Sequence, residues 1–122
     1  MTRVLVIDDD LSIRELIAYA LGDEGYQVDQ ASDGEAALEQ IDRQHPDIIL
    51  LDMKMPGIDG WEFAKLYRER YDQRAPIIVV TAAKDAAQRG STAEAASYLS
   101  KPFDLDMLIG RVSAIARRVG TN

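Results

Sequence analysis

The stretch IILLDMKMPGIDGW, Ile48 to Trp61, decides how this chain reads. Four apolar residues, Ile48 to Leu51, run straight into Asp52, and a Met-Pro-Gly turn (Met55 to Gly57) follows at once. A short, continuously apolar run bounded by turn residues is the pattern of a strand buried on both faces. Ending such a strand on a carboxylate is costly unless the group is solvated at an edge, paired, or bound to a cation.

Similar runs recur on either side. RVLVID (3–8), YQVDQA (26–31), PIIVVTA (76–82) and SYLS (97–100) are the other strand candidates, with Tyr26 and Val28 expected on one face of the second. Between them lie helical patterns. Ile13, Leu16, Ile17, Ala20 and Leu21 form a stripe, opened by a Ser12–Glu15 capping box and followed by Gly25. A second box, Ser32–Glu35, opens a segment with Ala37, Leu38 and Ile41 inward, and Asp59 with Glu62 opens a third. A weaker helical segment spans Lys84 to Glu94, interrupted by Gly90. Asp104 caps a last helix striped by Leu108, Val112, Ile115 and Val119.

Five strands alternating with five helical segments imply an α/β fold, a doubly wound parallel sheet with helices on both faces. Right-handed crossovers bring all carboxyl ends to one edge, where such sheets bind ligands. That edge gathers Asp8, Asp9 and Asp10 from the first strand, Asp52 from the third, Thr81 from the fourth and Lys101 after the fifth. Taken singly, Asp10 reads as a helix cap, Thr81 as an ordinary strand-end threonine, Lys101 as a solvated loop lysine and Tyr98 as an edge aromatic. Together they make a site. Clustered carboxylates raise one another's pKa unless positive charge sits among them, and their oxygens suit Mg²⁺.

Composition agrees. The 122 residues, 47% hydrophobic and 29% charged, suit one soluble globular domain. A net charge of −7 argues against non-specific nucleic-acid binding. There is no cysteine, which is compatible with a reducing cytoplasm; no signal-peptide pattern opens the chain, and no apolar run approaches a membrane span. His45, between a helix and a strand, is expected to be simply solvent-exposed, and Trp61 to pack near the site as a fluorescent reporter.

VLVIDDD (4–10), LLDMKMPGIDGW (50–61), IIVVTAA (77–83) and YLSKPF (98–103) occur in this order. On these motifs the chain resembles the receiver domain of two-component response regulators over essentially its full length. The resemblance implies a single receiver domain over 1–122 and a flavodoxin-like (βα)5 sheet of order 2-1-3-4-5. It implies that Asp52 accepts a phosphoryl group from a phosphohistidine on a histidine kinase or phosphotransfer protein. Asp9, Asp52 and the Lys54 carbonyl would hold Mg²⁺, with Asp8 acting mainly through water. Thr81 and Lys101 would contact the phosphoryl oxygens, and Thr81 with Tyr98 would couple them to a surface change. On this reading the chain is a cytoplasmic signalling switch, an enzyme only toward its own phosphorylation and dephosphorylation. The downstream partner, or an output domain, is left unnamed: the chain is expected to be either a stand-alone regulator that acts by binding a partner or a receiver excised from a longer protein.

The chain departs from that family in one place. Only twenty residue steps separate Thr81 from Lys101, and Glu94 stands where a glycine usually ends the helix before the fifth strand. The segment Lys84–Glu94 is therefore expected to be short or irregular, with a reshaped output face. Lys54 and Ala83, each two residues after a site residue, are positions that vary in the family. Two rival functions remain: an aspartyl-nucleophile phosphatase of haloacid dehalogenase type using Asp8 and Asp10, and a receiver-like adaptor that is never phosphorylated.

Overall fold

The computed structural model describes residues 2–82 and 95–118. Five strands, β1 (Arg3–Ile7), β2 (Gln27–Ala31), β3 (Ile48–Leu51), β4 (Ile77–Ala82) and β5 (Ser97–Lys101), form one parallel sheet in the order β2-β1-β3-β4-β5. Among the described residues there are four helices: α1 (Leu11–Asp23), α2 (Gly34–Arg43), α3 (Gly60–Arg70) and α4 (Leu105–Arg118). The segment Lys84–Glu94 with Gly90, together with Ala83 and Val119, lies outside the described residues.

The central strands bury both faces, and alternate residues divide between two cores. Leu5, Ile7, Ile49, Leu51, Ile77 and Val79 pack with α2 and α3 residues. Val4, Val6, Ile48, Leu50, Ile78 and Val80 pack with α1 and α4 residues. Tyr26 and Val28 join the second core together, as their shared face predicts. The inward stripes of α2 (Ala37, Leu38, Ile41) and α4 (Leu108, Val112, Ile115) are buried.

Three expectations need correction. In α1 the Ser12–Glu15 box does not form and the cap is Asp10, as that residue reads singly, its side chain accepting from the Ile13 amide; in α2 the cap is Asp33, accepting from Ala36, not Ser32. A carboxylate caps as well as a hydroxyl, and its charge also favours the helix N-terminus. Leu16 is 49% exposed. Ile17 and Leu21, one turn apart, carry the buried line, and Leu16 falls 100° behind Ile17 on the solvent side. Asp59 caps α3 as expected, accepting from Glu62 N, and Asp104 opens α4, accepting from Asp106 N at 2.8 Å.

At the end of α1 the Gly25 amide donates to Gly22 O and the Tyr26 amide to Leu21 O, with Gly25 at φ 98°. This is the paired-carbonyl closure that a left-handed residue allows. No described helix is long and apolar enough to cross a membrane.

Candidate functional site

Two hydrogen-bonded strands set the centre of the site. β1 and β3 pair in register, Ile7 against Leu51, and the Asp52 amide donates to Ile7 O at 3.0 Å. Asp8 and Asp52 therefore leave the sheet side by side at its carboxyl edge. Both are buried, at 2% and 7% exposure, while Asp9 is exposed. One carboxylate oxygen from each of Asp8, Asp9 and Asp52 lies within 4.8 Å of the others. Three hard oxygen donors this close can share one cation.

Lys101 arrives from the far strand. β5 pairs with β4, Ala82 against Lys101, and the ammonium donates to Asp8 Oδ2 at 3.0 Å and Asp52 Oδ2 at 3.4 Å. The other oxygen of each acid takes a backbone amide: Asp10 N to Asp8 Oδ1 at 2.9 Å, and Lys54 N to Asp52 Oδ1 at 3.2 Å. One ammonium thus serves two buried acids. Burial raises the pKa of Asp52 above the usual carboxylate value; Lys101 opposes this, Asp8 reinforces it, and the Lys54 amide opposes it. For Lys101, burial pulls the ammonium down, but its hydrogen bond to Asp8 and the charges of Asp52 and Asp8 outweigh that, and the net shift is upward.

Thr81 stands at the end of β4 opposite Ser100 of β5. It is 1% exposed, and its Oγ1 has no hydrogen-bond partner among the described residues. A buried hydroxyl in that state costs about 1–3 kcal/mol until something accepts or donates to it. Tyr98, one strand away and level with Val79, is exposed and outside the acidic cluster; its carbonyl accepts from Arg111 Nη1 at 2.6 Å. Lys54 has an exposed side chain and, with Asp9, Met55, Asp59 and Trp61, lines an open cleft of about 460 Å³. Asp10 belongs to the helix cap rather than to the cluster.

Three features were not foreseen in the sequence. A Cβ on Gly60 would lie 2.6 Å from Met53 Cα and 3.0 Å from Asp52 O, so only glycine lets α3 start against the backbone that carries Asp52. The available signal was a poor helix former directly after the Asp59 cap. His45 is exposed as expected, yet its ring stacks on Tyr67 and its Nε2 lies 3.0 Å from the Tyr67 hydroxyl. Arg14 reaches the Asp8 carbonyl at 2.8 Å, a contact no sequence motif announces.

Residues 4–113 match the response regulator receiver domain, and the chain belongs to that family. It is 42% identical over 118 residues to the response regulator MprA of Mycobacterium leprae, covering 95% of this chain and 51% of that protein. The chain spans about half the length of the curated relatives it matches. In three dimensions it is similar to the receiver domain of the Francisella response regulator 1452, with a TM-score of 0.88, 31% identity, and coverage of 98% of this chain and 99% of that one. It is also similar to the response regulator TrrA of Thermotoga maritima, solved in complex with Mg²⁺–BeF: TM-score 0.84, 38% identity, coverage of 94% and 99%.

Proposed function

We propose that this chain is a phosphorylation-dependent switch in which Asp52 is the phosphoacceptor, within a single receiver domain. An Asp52 carboxylate oxygen attacks phosphorus, the P–N bond of a phosphohistidine on a histidine kinase or phosphotransfer protein breaks, and an acyl phosphate forms while the imidazole departs. The observation that carries this reading is the charge balance at the strand ends. Asp52 and Asp8 are buried beside Asp9, with one ammonium, Lys101, between the two buried acids. Three carboxylates against one ammonium leave two negative charges in surplus.

The donor set fits a divalent cation on chemical grounds, since all its side-chain donors are carboxylate oxygens. Asp9 and Asp52 would hold Mg²⁺ directly with the Lys54 carbonyl, and Asp8 through water. When bound, the cation supplies charge neutralisation for phosphoryl oxygens. Lys101 supplies the same from the protein side, and its longer contact, to Asp52 at 3.4 Å, is the one a phosphoryl oxygen replaces. The buried Thr81 hydroxyl donates to a second phosphoryl oxygen and so loses its unpartnered state.

The switch follows from the same geometry. Drawing Thr81 toward the phosphoryl group vacates space beside β5, and Tyr98 turns inward from its exposed position to fill it. Moving such an element from 1:99 to 99:1 takes about 5.5 kcal/mol of differential interaction. Charge-assisted hydrogen bonds at about 1.5–3 kcal/mol each approach that. Asp10 is engaged as the α1 cap, which counts against the phosphatase reading that needs it as an acid.

Labelling with a small phosphodonor and Mg²⁺, followed by mass mapping, tests the assignment. Label on Asp52 is the expected result. Label on Asp8 points to the phosphatase, and no label to the adaptor.

A further inference from the structure

We propose that Arg14 is a positioning residue for the acidic cluster, setting Asp8 and Asp9 through the peptide that joins them. The inference rests on the cation-binding reading above and adds a residue to it. Arg14 lies on the first turn of α1. Its Nη1 donates to the Asp8 carbonyl at 2.8 Å, and its Nε donates to the Gln30 side-chain oxygen on β2 at 3.1 Å. Gln30 is in turn held by α2, where the Gln40 side-chain amide donates to the Gln30 carbonyl.

The guanidinium therefore ties α1 to β2 and to the point where β1 stops, and α2 holds Gln30 separately. Among the described residues, both acceptors that the Arg14 side chain meets are neutral oxygens, the Asp8 backbone carbonyl and the Gln30 side-chain amide, so the contact is not an ion pair. The Asp8 carbonyl and the Asp9 amide share one rigid plane. Fixing that oxygen fixes the direction in which both neighbouring Cα atoms present their carboxylates. The Asp8 amide is already held, donating to Ala31 O at 3.2 Å, and the Asp10 amide donates to Asp8 Oδ1 at 2.9 Å. Arg14 is the side chain that controls the remaining freedom of the peptide between the two acids. A planar fork with fixed N–H directions can do this; a lysine has one flexible donor group and cannot hold both partners in the same way. Groups that orient metal-binding side chains typically change affinity 10–100-fold when removed.

The test is Mg²⁺ affinity in the whole chain, read by Trp61 fluorescence or calorimetry alongside the melting temperature. Arg14→Gln is expected to weaken Mg²⁺ binding at least about tenfold while still melting cooperatively. Arg14→Lys should recover only part of the loss. Glu15→Gln, on the exposed side of the same helix turn, should change nothing. Gln30→Ala, which removes the second anchor alone, should weaken binding a few-fold and serves if Arg14→Gln does not fold. Unchanged affinity in a folded Arg14→Gln, or in Gln30→Ala if that variant stands in, overturns the proposal. Absence of Mg²⁺ binding by the unaltered chain would instead overturn the cation reading beneath it.

Discussion

At the amino ends of β3 and β4, Tyr67 is fully buried, and its hydroxyl accepts from the Ala75 amide at 2.7 Å. His45 Nδ1 lies 3.1 Å from the Pro46 carbonyl, which can only accept, so Nδ1 carries the proton and Nε2 accepts from the Tyr67 hydroxyl at 3.0 Å. Burial raises the Tyr67 pKa, against the Ala75 amide and Arg74, which keeps that donor proton in place at neutral pH. At the carboxyl end of the same sheet, Asp8 and Asp52 share one lysine, and the Thr81 hydroxyl has no partner among the described residues. Both ends bury polar groups. Where each donor meets an acceptor, the cluster is part of the architecture; where charge and hydrogen bonding are left unbalanced, the fold holds a place for something else.

Variants at the two ends should therefore fail in different ways. The largest effect belongs to Asp52→Asn, which is expected to abolish incorporation of label from a phosphodonor. The same change should raise the melting temperature at pH 7 without Mg²⁺. Burial raises the Asp52 pKa, so its ionised form costs stability above that pKa, and the cost fades as pH falls through it. The advantage of the asparagine variant should narrow accordingly in acid. A melting temperature equal to that of the unaltered chain at every pH would contradict the charge argument.

Lys101→Met comes next, because it leaves two buried carboxylates without their ammonium. A loss of about 2–3 kcal/mol at neutral pH is expected from denaturant unfolding, reduced from the range for a fully buried pair because Lys101 is partly exposed. Its pH slope has the same sign as that of Asp52, because both folded-state values are raised, but it falls in an alkaline window. Lys101 is raised above 10.5, so its contribution holds through neutral pH and is lost only as pH climbs through the folded value. Mg²⁺ should restore more stability to this variant than it adds to the unaltered chain; equal increments would break the link between the ammonium and the cation.

Tyr67→Phe should cost about 1–3 kcal/mol, since it strips the Ala75 amide of its acceptor, and should leave labelling at Asp52 unchanged. A fall in labelling with intact folding would show that the two ends are coupled. The smallest effect is expected from Lys54→Ala, whose side chain is exposed at the mouth of the cleft: a several-fold change in acyl-phosphate lifetime, measured as hydrolysis with Mg²⁺ present, and no change in melting temperature.

Much of this was legible before the structure. Continuously apolar runs such as Ile48–Leu51 and Ile77–Val80 read as buried strands, their alternation with helical segments implies a parallel sheet, and the parallel rule then gathers Asp8, Asp9, Asp52, Thr81 and Lys101 at one edge. Strand order came only from resemblance to a known family, because alternating elements do not say which strands are neighbours. Cap positions shifted by one or two residues because serine and aspartate compete for the same amides at Asp10–Ser12 and Ser32–Asp33. Gly60, His45 and Arg14 were hidden for a common reason. Each acts through a contact outside any helix or strand period, Gly60 with Met53, His45 with Tyr67 and Arg14 with the Asp8 carbonyl, and only the folded chain brings them together.

Calorimetric titration with Mg²⁺ of the unaltered chain and of Asp9→Asn tests the surplus-charge account most directly, because Asp9 is the exposed acid that Lys101 does not serve. One saturable site that is lost or greatly weakened in Asp9→Asn is the predicted result. No binding by the unaltered chain, or equal binding by both, would contradict it.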